Sequence, residues 1–300
     1  MSKKFTDWLL FILLSVIWGS SFILMKIGLE NKLGPYQIAA LRIVAAGALL
    51  LPIAIKALGK IPVSKLPVIF LSGALGSFFP AFLFCIAEQE LDSSLAGMLN
   101  SLTPIFVILI GALFFKKETP ANKVTGILIA FAGSILLVLT KGPIKTTDNL
   151  INPMLVVLAT VMYGTNVNIV SKYLSNLSSI QVAALALTSN AIPGILILYF
   201  TGFFSLSFSD PAIIKGTVAS IVLGVGGTAI ATIVFYNLVK RAGVIFSSMV
   251  TYVIPFVAII LGIYFYKEDF NWQKGACMVV ILFGVYWANR RSKKAIGIRQ

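Results

Sequence analysis

The chain has 300 residues; 58% are hydrophobic and 11% charged, and the formal net charge is +14. A soluble domain carries about 25% charged residues, so this chain lacks the polar surface to cover a water-soluble globule of its length. Its apolar content also excludes disorder. A basic excess marks nucleic-acid binding only where it forms a patch on a wet surface. Here the basic residues stand between long apolar runs, and no nucleic-acid partner is expected. Histidine is absent, and Cys85 and Cys277 each sit within an apolar run, so no metal, cofactor or disulfide framework is expected.

A bilayer core of about 30 Å takes about 20 apolar residues as a helix. By that measure ten spans follow in chain order: 8–29, 35–55, 66–87, 93–115, 124–140, 153–173, 180–203, 212–239, 244–266 and 272–289. They leave no room for a soluble domain, so the fold class is an all-α polytopic membrane protein. The first apolar run is too long for the core of a cleaved signal peptide, and no small-residue cleavage site follows it. With the N-terminus inside, cytoplasmic segments hold 16 basic residues, including Lys3, Lys4, Lys116, Lys117 and the Arg290–Lys294 cluster. Outer loops hold 6, namely Lys32, Lys141, Lys145, Lys215, Lys267 and Lys274. Positive charge collects on the cytoplasmic side, so both termini are expected in the cytoplasm of an inner, cytoplasmic membrane.

The chain also repeats itself. At an offset of 151, eleven residues of spans 3–5 meet identical residues of spans 8–10, among them Gly73/Gly224, Gly76/Gly227, Phe84/Phe235, Met98/Met249, Pro104/Pro255 and Gly133/Gly284. At an offset of 145, Trp18-Gly19-Ser20-Ser21 meets Tyr163-Gly164-Thr165-Asn166. The expected units are residues 1–145 and 146–300, five spans each. Five is odd, so the halves enter the membrane in opposite directions, which is an architecture of secondary transporters with a site near the midplane.

Several of these residues resemble a known family. Trp18-Gly19-Ser20-Ser21-Phe22, Arg42 early in span 2, the 93–118 stretch with Asn100, Pro104 and the closing Phe115-Lys116-Lys117-Glu118, and the 5+5 duplication are similar to the EamA-type transporters of the drug/metabolite transporter superfamily. The resemblance implies a ten-helix inverted repeat. Spans 1–4 and 6–9 would surround a cavity, with spans 5 and 10 at the periphery. It also implies export of amino acids and other metabolites. Ala186 stands where the second half would repeat Arg42.

Candidate solute-binding residues are polar or aromatic positions at mid-span: Trp18, Ser21 and Met25 on one face of span 1, Phe78 and Phe82 on span 3, Asn100 on span 4, Tyr163 and Asn166 on span 6, and Thr251 and Tyr252 on span 9. Lys26, Arg42 and Glu88 are the intramembrane or near-membrane charges. They are expected to form an outer gate in which Glu88 pairs with Arg42 or Lys26. Pro104 and Pro255, half-way along spans 4 and 9, are expected kinks and hinges. Small residues one turn apart on spans 5 and 10 (Gly126, Ala130, Ser134; Gly284, Ala288) suit close helix packing, and the protein is expected as a monomer or weak homodimer.

The expected function is secondary transport of small metabolites, amino acids or related amphiphiles, by alternating access in the export direction. The alternatives are a phosphorylated or lipid-like solute, and more remotely a membrane-embedded enzyme or a channel. There is no Walker-type phosphate loop, no filter sequence and no cluster of nucleophiles. No acid lies at mid-span, which favours facilitated diffusion or exchange, unless Glu88 couples a proton.

Overall fold

A computed structural model describes residues 3–91, 93–139, 151–257 and 271–289. The Arg290–Lys294 cluster, Lys141, Lys145, Lys267 and the end of the ninth expected span lie outside the described residues. Every element among the described residues is helical. The chain runs through α1 (Lys3–Glu30), α2 (Pro35–Leu58), α3 (Leu66–Gly73), a π segment (Ala74–Phe78) and α4 (Phe79–Ala87). It continues with α5 (Ser93–Asn100), α6 (Thr103–Phe115), α7 (Ala121–Leu139), α8 (Ile151–Tyr173) and α9 (Ser179–Phe200). Then come α10 (Pro211–Val222), a second π segment (Leu223–Ile230), α11 (Ala231–Ala242) and α12 (Val244–Ser248). The last are α13 (250–257) and α14 (Trp272–Asn289).

Among the described residues, seven helical stretches are long and apolar enough to cross a membrane: 4–30, 35–58, 63–87, 95–115, 151–173, 179–200 and 211–242. The remaining apolar helices are shorter in the described residues: 121–137 and 244–257, and α14, which has Gln273 and Lys274 in its first turn and Asn289 at its end. The outside of the bundle is greasy. Leu113, Phe114, Phe200 and Trp272 are more than 70% exposed, which suits a lipid surface and not water.

Glycines set where the helices touch, and the contacts come in pairs. A Cβ on Gly73 would stand 2.5 Å from the Ala186 carbonyl, and one on Gly224 2.5 Å from the Arg42 carbonyl. Gly19 meets Val257 at 2.6 Å and Gly164 meets the Phe106 backbone at 2.9 Å. Gly133 meets Ile281 at 2.9 Å while Gly284 meets Ala130 at 2.5 Å. The glycines of each pair are equivalent under the repeat offsets, and in the last two pairs their contacts are as well. α2 packs along α9, where Gly47 meets Ala191 at 2.6 Å. α7 packs along α14, with Gly126 against the Ala288 backbone at 2.4 Å. The small-residue stripes of α7 and α14 are thus spent on each other within one chain.

The two π segments sit at the same place in the repeat. A π turn inserts a residue into the helical ladder and concentrates at functional positions. Span 4 is broken as well. Ser101 and Leu102 form a turn between α5 and α6, so Pro104 stands in the first turn of a new helix, where its missing N–H costs nothing. The expected mid-helix kink is therefore a helix start. The Asn100 carbonyl that Pro104 cannot serve accepts the Thr103 hydroxyl at 2.8 Å. In the equivalent helix the interruption is at Met249, and Pro255 lies within α13.

Polar cross-links gather at the two ends of the bundle. At one end Lys32 pairs with Asp210 at 2.6 Å, Gln37 donates to the Thr201 carbonyl at 3.0 Å, and Asn152 donates to Glu90. Lys32, together with the Ala212 N–H, holds the Asp210 carboxyl below its ordinary pKa. At the other end Arg241 pairs with Asp7 at 2.7 Å, Lys65 donates to the Tyr173 carbonyl at 3.1 Å, and Lys117 donates to the Ser171 hydroxyl at 3.2 Å. Burial and the neighbouring Lys172 charge lower the Lys117 pKa.

Candidate functional site

Between these ends lies a central cavity, open in part to solvent. Its lining comes from α1, α2, both π segments, α4, α5, α6, α8, α11, α12 and α13, and from none of α7, α9 and α14.

The walls follow the repeat. Trp18 faces Phe235 with ring centroids 5.2 Å apart, and the equivalent pair Tyr163 and Phe84 stacks at 6.2 Å. Beside them the π segments present glycine to a polar side chain. A Cβ on Gly76 would fall 2.1 Å from Asn166 Nδ2, and one on Gly227 2.6 Å from Ser21 Oγ. Only glycine lets the backbone come this close. The Trp18 indole N–H donates to the Gly227 carbonyl at 3.1 Å, which fixes the ring against the second π segment.

The polar groups do not follow the repeat. On the α8 side, Ser72 donates to Asn166 Oδ1 at 2.7 Å and shares a hydrogen bond with the Tyr236 hydroxyl at 2.9 Å; Asn166 Nδ2 reaches the same hydroxyl at 3.4 Å. All three residues are buried, and they tie α3, α8 and α11 together. On the α1 side, the Ser21 hydroxyl turns back to its own helix at the Ile17 carbonyl, 2.8 Å away. The Cys85 thiol meets the Met25 thioether at 3.2 Å. Cys85 and Tyr236 are equivalent positions, as are Ser21 and Asn166.

Of the expected binding residues, Trp18, Ser21, Met25, Asn100, Tyr163, Asn166 and Thr251 line the cavity. Phe78, Phe82 and Tyr252 do not. Phe78 and Phe82 pack on each other at 4.9 Å, and on Phe79 and Tyr36, away from it. Phe84 takes the lining position, because the π segment ending at Phe78 shifts the helical phase of everything after it. Tyr252 is fully buried, and its hydroxyl donates to the Ile127 carbonyl of α7 at 3.1 Å.

The expected gate pairing is not made. Both Glu88 carboxyl oxygens are buried without a hydrogen-bond partner. Lys26 is 61% exposed and reaches Glu30 at 4.0 Å. Arg42 lines the cavity, and its Nε donates to the Thr228 hydroxyl at 3.1 Å. Thr228, Thr232, Phe235 and Tyr236 were not among the expected residues. Phe235 carried a signal, since it repeats Phe84. The other three face Ser77, Ala81 and Cys85 in the repeat, and nothing in that pattern singles them out. Among the described residues no group of His, Cys, Asp and Glu could hold a metal.

Among the described residues the arrangement offers many hydroxyls, two amides, aromatic walls and one guanidinium, with no carboxylate in the lining. That composition suits solute binding. It holds no general base or nucleophile paired to one.

A model of the EamA-like transporter family matches residues 7–139 and again 151–290. An uncharacterized transporter of Archaeoglobus fulgidus is 29% identical over 95% of this chain and 99% of its own. A probable amino-acid metabolite efflux pump of Escherichia coli is 31% identical over 46% of this chain and 44% of its own. A probable terminal-alkyne amino-acid exporter of Streptantibioticus cattleyicolor is 24% identical over 84% of this chain and 82% of its own. A solved crystal structure superposes over 100% of both chains with a TM-score of 0.73 at 17% identity, a likeness of fold alone.

Proposed function

Because the chain belongs to the EamA-like transporter family, we propose that it carries amino acids or related small amphiphiles across the cytoplasmic membrane by alternating access, in the export direction. It is a multi-pass membrane transporter of small molecules and not an enzyme. The observation that carries the finer reading is the cavity itself, lined by both π segments and walled by aromatic pairs at equivalent positions.

The same pairing supports ten spans in two inverted halves, 1–145 and 146–300. If one half can close at its end, a half built with the same contacts can close at the other, and the two closed states lie near each other in energy. Interrupted helices at mid-membrane are where such carriers expose polar groups to solute. The breaks at Ser101–Leu102 and Met249, with Pro104 and Pro255 beside them, are the proposed hinges. The 16-to-6 distribution of basic residues supports cytoplasmic termini. The names of two relatives support the amino-acid class.

Counterflow in proteoliposomes with a pool of labelled amino acids tests the reading. Exchange of at least one of them is expected. A pool that exchanges no faster than in empty liposomes contradicts it.

A further inference from the structure

Among the described residues, one permanent charge lines the cavity. Arg42 lies seven residues after Pro35, the first residue of α2. A guanidinium is not deprotonated in proteins, so this half-buried charge calls for an acceptor. Among the described residues it has no charged one. Its one hydrogen bond runs from Nε to the neutral Thr228 hydroxyl, which leaves both Nη amino groups without a protein acceptor. No Asp or Glu is among the described residues of the lining.

Glu88 is the acid that the sequence offers as a partner for Arg42. It makes no ion pair with it, and both its oxygens are buried and unbonded. It also caps the C-terminus of α4, the end of a helix that disfavours a carboxylate. Lys26, the other expected partner of Glu88, turns to Glu30. Among the described residues, then, Arg42 and Glu88 are not joined in an ion pair.

We infer that the two Nη groups of Arg42 are the subsite for a single carboxylate on the carried solute. This rests on the transport reading and names the solute's chemistry. The two free amino groups form the planar fork that binds a carboxylate bidentately. The count of charges selects among anions. A phosphate monoester brings about −1.5 to −2, and the position that would supply a second cation in the other half is Ala186. The aromatic walls flank the same cavity: Arg42, Tyr163 and Phe84 all line it, and Tyr163 stacks on Phe84. A solute with one carboxylate and an apolar body fills both halves of that description.

The test is exchange in proteoliposomes of matched solutes with the same body: phenylalanine, its carboxamide, the decarboxylated amine, 3-phenylpropionate and a phenyl phosphate ester. A charge-assisted bidentate contact corresponds to roughly 10- to 100-fold. The two carboxylates are therefore expected to exchange at least tenfold faster than the amide, the amine and the phosphate ester. Arg42→Gln is expected to erase that difference, and Arg42→Lys to keep part of it. Thermal protection by 3-phenylpropionate in detergent is expected for the parent and lost in Arg42→Gln, which separates lost binding from lost folding. Equal exchange of carboxylates and amides overturns this inference and leaves the transport reading standing. A faster phosphate ester overturns it as well. Silence of the whole panel overturns both.

Discussion

Gly76 lies against Asn166, and Gly227 lies against Ser21, at equivalent places in the two halves of the chain. Around Asn166 the neighbours are Ser72 and Tyr236, joined in a closed hydrogen-bond network. Around Ser21 the corresponding space holds Met25 and Cys85 in a sulfur contact, with Arg42 lining the cavity on that flank. The backbone frame is shared and the chemistry is not. Glycine and aromatic positions repeat because helix approach and wall shape repeat. Polar positions diverge because one flank ties helices together and the other leaves its charge available.

The largest effect is expected from breaking the frame. At Gly224 a new Cβ meets the Arg42 carbonyl at 2.5 Å, backbone that cannot swing aside; at Gly226 it meets nothing within 4 Å. Gly224→Ala is expected to cost about 1–3 kcal/mol by overpacking and to lower the melting temperature in detergent, with Gly226→Ala close to neutral. Equal melting of the two variants breaks the claim that the frame is set at these contacts.

Next comes the bonded flank. Tyr236→Phe leaves Ser72 and Asn166 short of a partner in a buried place, at a cost of about 1–3 kcal/mol. Cys85→Ala at the equivalent position removes only a soft contact and is expected to cost less. Paired thermal melts check the order, and a larger loss for Cys85→Ala reverses the comparison.

The smallest effect belongs to the ends. Asp210 is held low by Lys32, so whatever this exposed pair contributes is present above the ordinary aspartate range and is lost as pH falls through the lowered folded-state value. Asp210→Asn is expected to flatten that part of the acid limb of a melting-temperature profile, and salt to blunt the difference. An unchanged acid limb sinks the assignment.

Much of the site was legible because the repeat points to it. Trp18 against Tyr163, Ser21 against Asn166 and Asn100 against Thr251 are equivalences visible in the sequence, and all six residues line the cavity. The family and the membrane class were legible too, from motif order and from scarcity of charge. What was not legible depends on helical phase. A π segment is a tertiary choice with no local code, and beside it Phe78 and Phe82 turn from the cavity into the buried core while Phe84 lines it. The interruption at Met249 likewise leaves Thr251 in the lining and directs Tyr252 to α7. Arg42 was read by its depth, roughly two turns into a span, as an outer gate partner for Glu88. Depth says nothing of which way a side chain faces, and it faces the cavity. Tyr236 and Ser72 escaped because a repeat reports what two halves share, and their network exists in one half alone.

The most direct test of the central claim, a cavity reached in turn from each side, uses cysteines at the equivalent positions Asn100 and Thr251. In a Cys85→Ser, Cys277→Ala background that still exchanges solute, a membrane-impermeant maleimide is applied to oriented vesicles from one face and then from the other. Each cysteine is expected to be modified from both faces, and more slowly when a transported solute is present. Modification of each from a single face only, indifferent to solute, would contradict alternating access through this cavity.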